Sequence, residues 1–227
     1  MILMEKTHKL QKNLLCSFEY YIMNHEVREK MTIDSENILN SILSSLERID
    51  YIKPTEIPNI DLYMDQVTTF MEEHLQSSKR YPDDKILTKT MINNYAKNHL
   101  LPAPDKKKYS KEHLLLLIYI YYYKSILSIG DIQSLLEPLT QRYFHKDGEM
   151  NMQSIYEEVF SLEKEQVEKM KQDVTEKYET ASRIFPEAEA EDQEFLRIFS
   201  FICLLSFDVY VKKQVIEKLI DELPKKS

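Results

Sequence analysis

The chain has 227 residues and only two glycines, Gly130 and Gly148, with Leu, Glu, Lys and Met plentiful, so few sheet turns are available and an almost all-helical protein is predicted. A formal net charge of -8 excludes a chain that binds nucleic acid along its whole length, yet residues 79–124 hold 10 Lys and Arg against 4 Asp and Glu inside acidic flanks. Cys16 and Cys203 fit neither a metal spacing nor a disulfide framework, and no secretory signal is evident, which together predict a reduced, cytoplasmic protein.

In chain order, residues 1–30 place Leu10, Leu14, Leu15, Phe18, Tyr21 and Ile22 on one side of a helix. The two readings of that segment are a docking helix and sequence upstream of a true start at Met31. Asp34 or Ser35 then caps a helix holding Ile38, Leu39, Ile42, Leu43 and Leu46, and residues 1–55 form an N-terminal helical extension. Pro54 to Pro58 reads as a linker. Asp61 is expected to cap LYMDQVTTFMEEHLQ, with Leu62, Val67, Phe70, Met71 and Leu75 buried, and SSKRYPDDK follows as a polar turn. That helix has the place of the support helix in a helix-turn-helix, with a long connection to the next one.

The basic block contains the informative stretch. Thr88 is a good N-cap for a helix whose Met91, Ile92 and Tyr95 point inward, leaving Lys89, Thr90, Asn93, Asn94 and Lys97 on the opposite face. Asn is a poor helix former, so an adjacent pair in mid-helix calls for another reason. Asn can donate and accept together against the N6 and N7 edge of adenine, while Lys neutralises phosphate. An ordinary solvated helix face is the competing reading. The next loop shifts the balance: Pro102 and Pro104 stiffen it, and Lys106, Lys107, Lys108 and Tyr109 set three cations and an aromatic beside the helix as a wing. Ser110 then caps a helix that starts with Lys111 and becomes apolar around most of its circumference from Leu114 to Tyr123. Its tyrosines read as core and rim residues. Ser128 and Asp131 form a capping-box start to IGDIQSLL, and Pro138 helps to end that helix.

MINNYAKNHLL, KKKYSKEHL and SIGDIQSLL resemble the MerR winged-helix superfamily. More closely, IDLYMDQV, LTKTMINNYAKNHLLPAP, KKKYSKEHL and SIGDI resemble the bacterial domain-of-unknown-function family 1836, over roughly Ile57 to Pro138. The resemblance implies a MerR-like winged helix-turn-helix over residues 56–140 and a transcription regulator. Asn93 and Asn94 stand where MerR proteins usually carry an Arg and a Tyr that touch DNA, and the wing is shorter. His99 replaces the usual helix-ending glycine and must accept a left-handed backbone.

Past Leu139, Gly148 marks a turn, and Met152 to Phe185 is expected to form a long charged helix with a broken apolar stripe of Ile155, Val159, Leu162, Val167, Met170, Val174 and Tyr178. A last helix from Phe195 supplies a second core or a homodimer interface, so 149–227 reads as a packing or dimerisation region. The apolar run His113 to Leu127 is too short to span a membrane, and Phe195 to Val211 carries Arg197 and Asp208, so no membrane partner is expected. Glu72, Glu73 and His74 diverge around a helix, as do Glu112 and His113. With no phosphate-cradling glycine loop, nucleophile elbow or His pair at metal spacing, the sequence predicts no enzyme, cofactor or metal. The expected function is a dimeric, sequence-specific double-stranded DNA-binding regulator. The alternative is a protein-interaction module that keeps the helical scaffold without binding DNA.

Overall fold

The computed structural model describes residues 35–46 and 52–224. Among them are seven α-helices: α1 Ser35–Leu46, α2 Met64–Leu75, α3 Lys89–Lys97, α4 Lys111–Tyr123, α5 Ile129–Tyr143, α6 Met152–Ser182 and α7 Ala190–Asp221. Two short strands, β1 Leu62–Tyr63 and β2 Lys108–Tyr109, pair antiparallel in the register Leu62 to Tyr109 and Tyr63 to Lys108. The fold is mainly helical, as the glycine-poor composition predicts. The helix expected within residues 1–30 and the cap at Asp34 lie outside the described residues.

The centre is α4, where every residue from His113 to Ile120 is buried. A helix apolar on all sides must be surrounded, and α4 packs against β2, α5 and α6. From α6 the rings of Tyr156 and Phe160 meet Tyr119, whose buried ring is a core group, as its sequence context implies. A second cluster joins Leu39, Leu43 and Leu46 of α1 to Val174, Tyr178 and Ala181 of α6 and Phe201, Leu204 and Leu205 of α7. Lys177 on α6 bridges the last two helices by reaching Asp208 at 3.0 Å. No helix among the described residues is long and apolar enough to cross a membrane.

Several boundaries differ from expectation. Asp61 does not cap α2: Leu62 and Tyr63 are extended because they pair with β2, and Tyr63 is the N-cap, its N–H donating to Gln66 Oε1 at 2.9 Å. Pro54 to Pro58 is not a free linker, since Ile52 and Ile57 are buried and the Ile52 carbonyl accepts a hydrogen bond from Tyr156 Oη at 2.8 Å. Pro138 lies inside α5 and does not end it; the helix continues to Tyr143 with a further bond from Phe144 N–H to the Thr140 carbonyl. On α6 the buried positions near its start are Met152, Tyr156 and Phe160, a face set by α4, while Leu162 and Met170 of the expected stripe are exposed. Helix α7 starts at Ala190, ahead of Phe195, with acidic residues in its opening turns, where the positive end of the helix dipole favours them.

Candidate nucleic-acid interface

Helix α3 is fixed at both ends by local bonds that its sequence specifies. Thr88 Oγ1 accepts from Met91 N–H at 3.2 Å, and Ile92 and Tyr95 are buried against the core. At its other end His99 has φ 58°, and the N–H groups of His99 and Leu100 donate to the carbonyls of Ala96 and Tyr95. That pair of bonds is a Schellman motif, with a histidine at the left-handed position where glycine is usual. The left-handed His99 anticipated from the sequence is therefore present. With its inner side anchored, α3 leaves Lys89, Thr90, Asn93, Asn94 and Lys97 exposed on the outer side.

The loop after α3 contains a tight hairpin closed by Asp105, Lys106, Lys107 and Lys108. Lys108 N–H donates to the Asp105 carbonyl at 2.8 Å, and Asp105 and Lys108 form a further antiparallel bridge. Lys106 and Lys107 have φ 45° and 65°. Positive φ at both central positions is the condition of a type I′ turn, which matches strand twist and ordinarily selects Asn-Gly or Gly-Gly. Two lysines there are strained, at roughly 1–2 kcal/mol each, and both are exposed at the hairpin tip.

The two basic elements meet at the start of α2. Lys89 of α3 is ion-paired with Asp65 in the first turn of α2. Lys108 of β2 lies with its Nζ 5.4 Å from the ring centroid of Tyr63, the N-cap of the same helix. The Asn-bearing face of α3 and the lysine hairpin therefore flank one helix end. Tyr63, 55% exposed, was not singled out in the sequence. Its signal is the in-out alternation Leu62, Tyr63, too short to read as a strand until its partner is known.

Not every cation of the basic block faces outward. Lys124 Nζ donates to the Ile86 carbonyl at 2.6 Å, and its burial pulls the ammonium pKa down. Lys79 pairs with Glu72. These two hold the approach to α3 in place. Lys111, at the start of α4, is half-buried.

Tyr109 is a correction. Expected beside the cations as an exposed aromatic, it is 3% exposed, with its ring edge-on to His113 at 5.5 Å. Strand alternation explains this: Lys108 and Tyr109 point to opposite faces, and the Lys108 side takes the surface. His113 in turn is the N3 residue of the α4 capping box, its Nδ1 accepting from Ser110 N–H at 3.0 Å. Its Nε2 is buried without a hydrogen-bond partner. Burial lowers the imidazole pKa to about 4, outweighing the nearby Ala103 backbone, which favours the charged form.

Among the described residues no three of His, Cys, Asp and Glu converge at metal-binding distance. Residues 52–159 match the model of a family described as Domain of unknown function (DUF1836), a span just under half of the chain. That span extends the resemblance at both ends and coincides with the first hydrophobic cluster, whose residues run from Ile52 to Phe160 apart from Ile220. No curated protein and no solved structure matches the chain.

Proposed function

We propose that residues 52–159 are a MerR-like winged helix-turn-helix that binds double-stranded DNA, and that the chain is a sequence-specific transcriptional regulator. In this reading α2 is the support helix, α3 enters the major groove, and the hairpin at Lys106 and Lys107 is the wing. Thr90, Asn93 and Asn94 meet base edges, while Lys89, Lys97, Lys106, Lys107, Lys108 and Lys111 meet phosphates. Tyr109 has no part in the contact because it is buried.

The observation that carries the reading is the conformation of Lys106 and Lys107. A left-handed turn built from lysines gives up stability that Asn-Gly would supply, and backbone strain of this kind gathers at functional sites. What the strain supports here is two adjacent cations at the tip of a short hairpin, next to a helix with an uncommitted polar face.

The test is selection of bound fragments from the native genome with the full chain at low salt. An enriched sequence motif, lost when Lys106 and Lys107 are neutralised, is the expected result. Failure to retain any DNA at low salt sinks the proposal. The exposed apolar side of α7 favours the second reading, a protein-interaction module without DNA binding; its mark is a stable complex with another protein while DNA is ignored.

A further inference from the structure

A cleft of about 300 Å³ separates the end of α3 from one side of α5. Its floor is hydrocarbon, since Leu100 and Leu101 are buried there and Ala96, Pro102 and Ala103 complete that wall. The opposite wall is polar. Gln133, Glu137, Thr140 and Gln141 line it from α5, at steps of four, three and one that bring residues to one helix face. The volume sits at the lower end of the range of small-molecule sites, about 300–1,000 Å³, which likewise combine an apolar floor with a few polar groups.

Hydrogen bonds already made within the polar wall decide what it can take. Thr140 Oγ1 donates to the Leu136 carbonyl at 2.8 Å, so its hydrogen is committed and the oxygen offers the cleft lone pairs. Gln141 Nε2 donates to Glu137 Oε1 at 2.8 Å, which fixes the amide's orientation, keeps its oxygen as an acceptor and holds the carboxylate in place. The negative end of the α3 dipole adjoins the same space. Among the described residues no lysine or arginine lines the cleft, although α3 and the loop after it belong to the basic block. A divalent metal is a poor match, because a single carboxylate there faces hydrocarbon.

We infer that this cleft binds a small primary ammonium ion with an apolar body. Its N–H donors meet the Glu137 carboxylate and the neighbouring Thr140 and Gln141 oxygens, while its body lies on Leu100 and Leu101. The charge-assisted bond to Glu137 sets the discrimination: an anion of the same shape is repelled by that carboxylate, and a neutral alcohol forgoes the charge. This binding does not depend on the DNA-binding reading.

The experiment follows the amide signals of the isotope-labelled full chain by NMR at physiological salt while phenethylammonium is added. Phenethyl alcohol and phenylpropionate are the neutral and anionic probes of similar size. Saturable shifts confined to residues 96–103 and 133–141 are expected, with a dissociation constant of about 1 mM or below. The alcohol should bind roughly tenfold more weakly and the anion not at all. Glu137→Gln keeps the shape of the wall; it should weaken phenethylammonium roughly tenfold and erase its preference over the alcohol. Thr140→Val should weaken it roughly threefold. Glu157→Gln, at an exposed position of α6, controls for general attraction to an acidic chain and should change nothing. The ligand-free spectrum of each variant, unchanged away from the cleft, is the folding control. Absence of saturable shifts at the cleft, or shifts spread over the acidic surface, overturns the site. Equal binding of the alcohol and the ammonium overturns the ligand class, and wild-type binding by Glu137→Gln overturns the role of the carboxylate.

Discussion

Lys89, the first residue of α3, is ion-paired with Asp65 in the first turn of α2. Both side chains are well exposed, so the pair is worth little to the fold, but it gives a DNA phosphate a competitor for Lys89. Asp65→Asn is therefore expected to tighten DNA binding. The salt dependence of the binding constant should steepen by about 0.9 in log–log slope, the release of one further counterion. Lys89→Ala should leave the wild-type slope nearly unchanged, because the ion pair already withholds that charge, and abolish the effect of Asp65→Asn in the double variant. Titration of labelled DNA across a salt series measures all four proteins, and an Asp65→Asn slope equal to wild type would show that Lys89 meets no phosphate.

Replacing Lys106 and Lys107 together by Asn and Gly separates the wing's fold from its charge. The turn keeps its geometry and sheds about 2–4 kcal/mol of strain, offset by roughly 0.5–1 kcal/mol of added glycine entropy, so stability should rise by about 1–3 kcal/mol in urea unfolding. DNA affinity should nonetheless fall, with the salt slope reduced by about 1.8 for two lost phosphate contacts. Equal or better DNA binding by this more stable variant would contradict the proposed wing.

Much of the module over residues 56–140 was legible because its signals are local. Thr88 and Ser110 each start the helix they are expected to cap, Ser128 and Asp131 form the expected capping box, and His99 takes the left-handed backbone expected of a helix-ending position. The misses are non-local. Leu62 and Tyr63 continue a helical pattern and become a strand only because residues 108 and 109, more than forty positions on, pair with them. That same pairing sends Tyr109 inward, where composition alone set it beside the lysines. On α6 the contact with Tyr119 selects Tyr156 and Phe160 over the aliphatic stripe, a choice that periodicity within α6 cannot make.

Asn93→Ala tests the reading face apart from the electrostatics. Asn93 is exposed on α3, and alanine is the better helix former, so stability should rise by roughly 0.5 kcal/mol. If Asn93 reads adenine, the variant loses about 1–3 kcal/mol of discrimination at one position of the selected motif while its salt slope stays the same. An unchanged motif would return Asn93 to the class of solvated helix residues.

His113 ties the stability of the module to pH, and the sign follows from its burial. In the unfolded chain the imidazole titrates near its ordinary 6.5; in the fold burial holds it down to about 4. Between those values the unfolded state binds the extra proton, so stability is full above about pH 6.5 and falls as the pH drops toward 4. The 2.5-unit gap sets the loss at no more than about 3 kcal/mol. His113→Gln keeps an acceptor for the Ser110 N–H at the N3 position of the capping box and removes the titration. Its unfolding free energy should therefore be flatter than wild type between pH 6.5 and 4. His145 makes a separate contact there, its Nδ1 lying 2.7 Å from Glu112, so a Glu112→Gln control removes that pair and isolates the contribution of the buried ring. Urea unfolding at half-unit pH steps gives the comparison, and parallel curves for His113→Gln and wild type would mean that the ring takes up its proton without leaving the core.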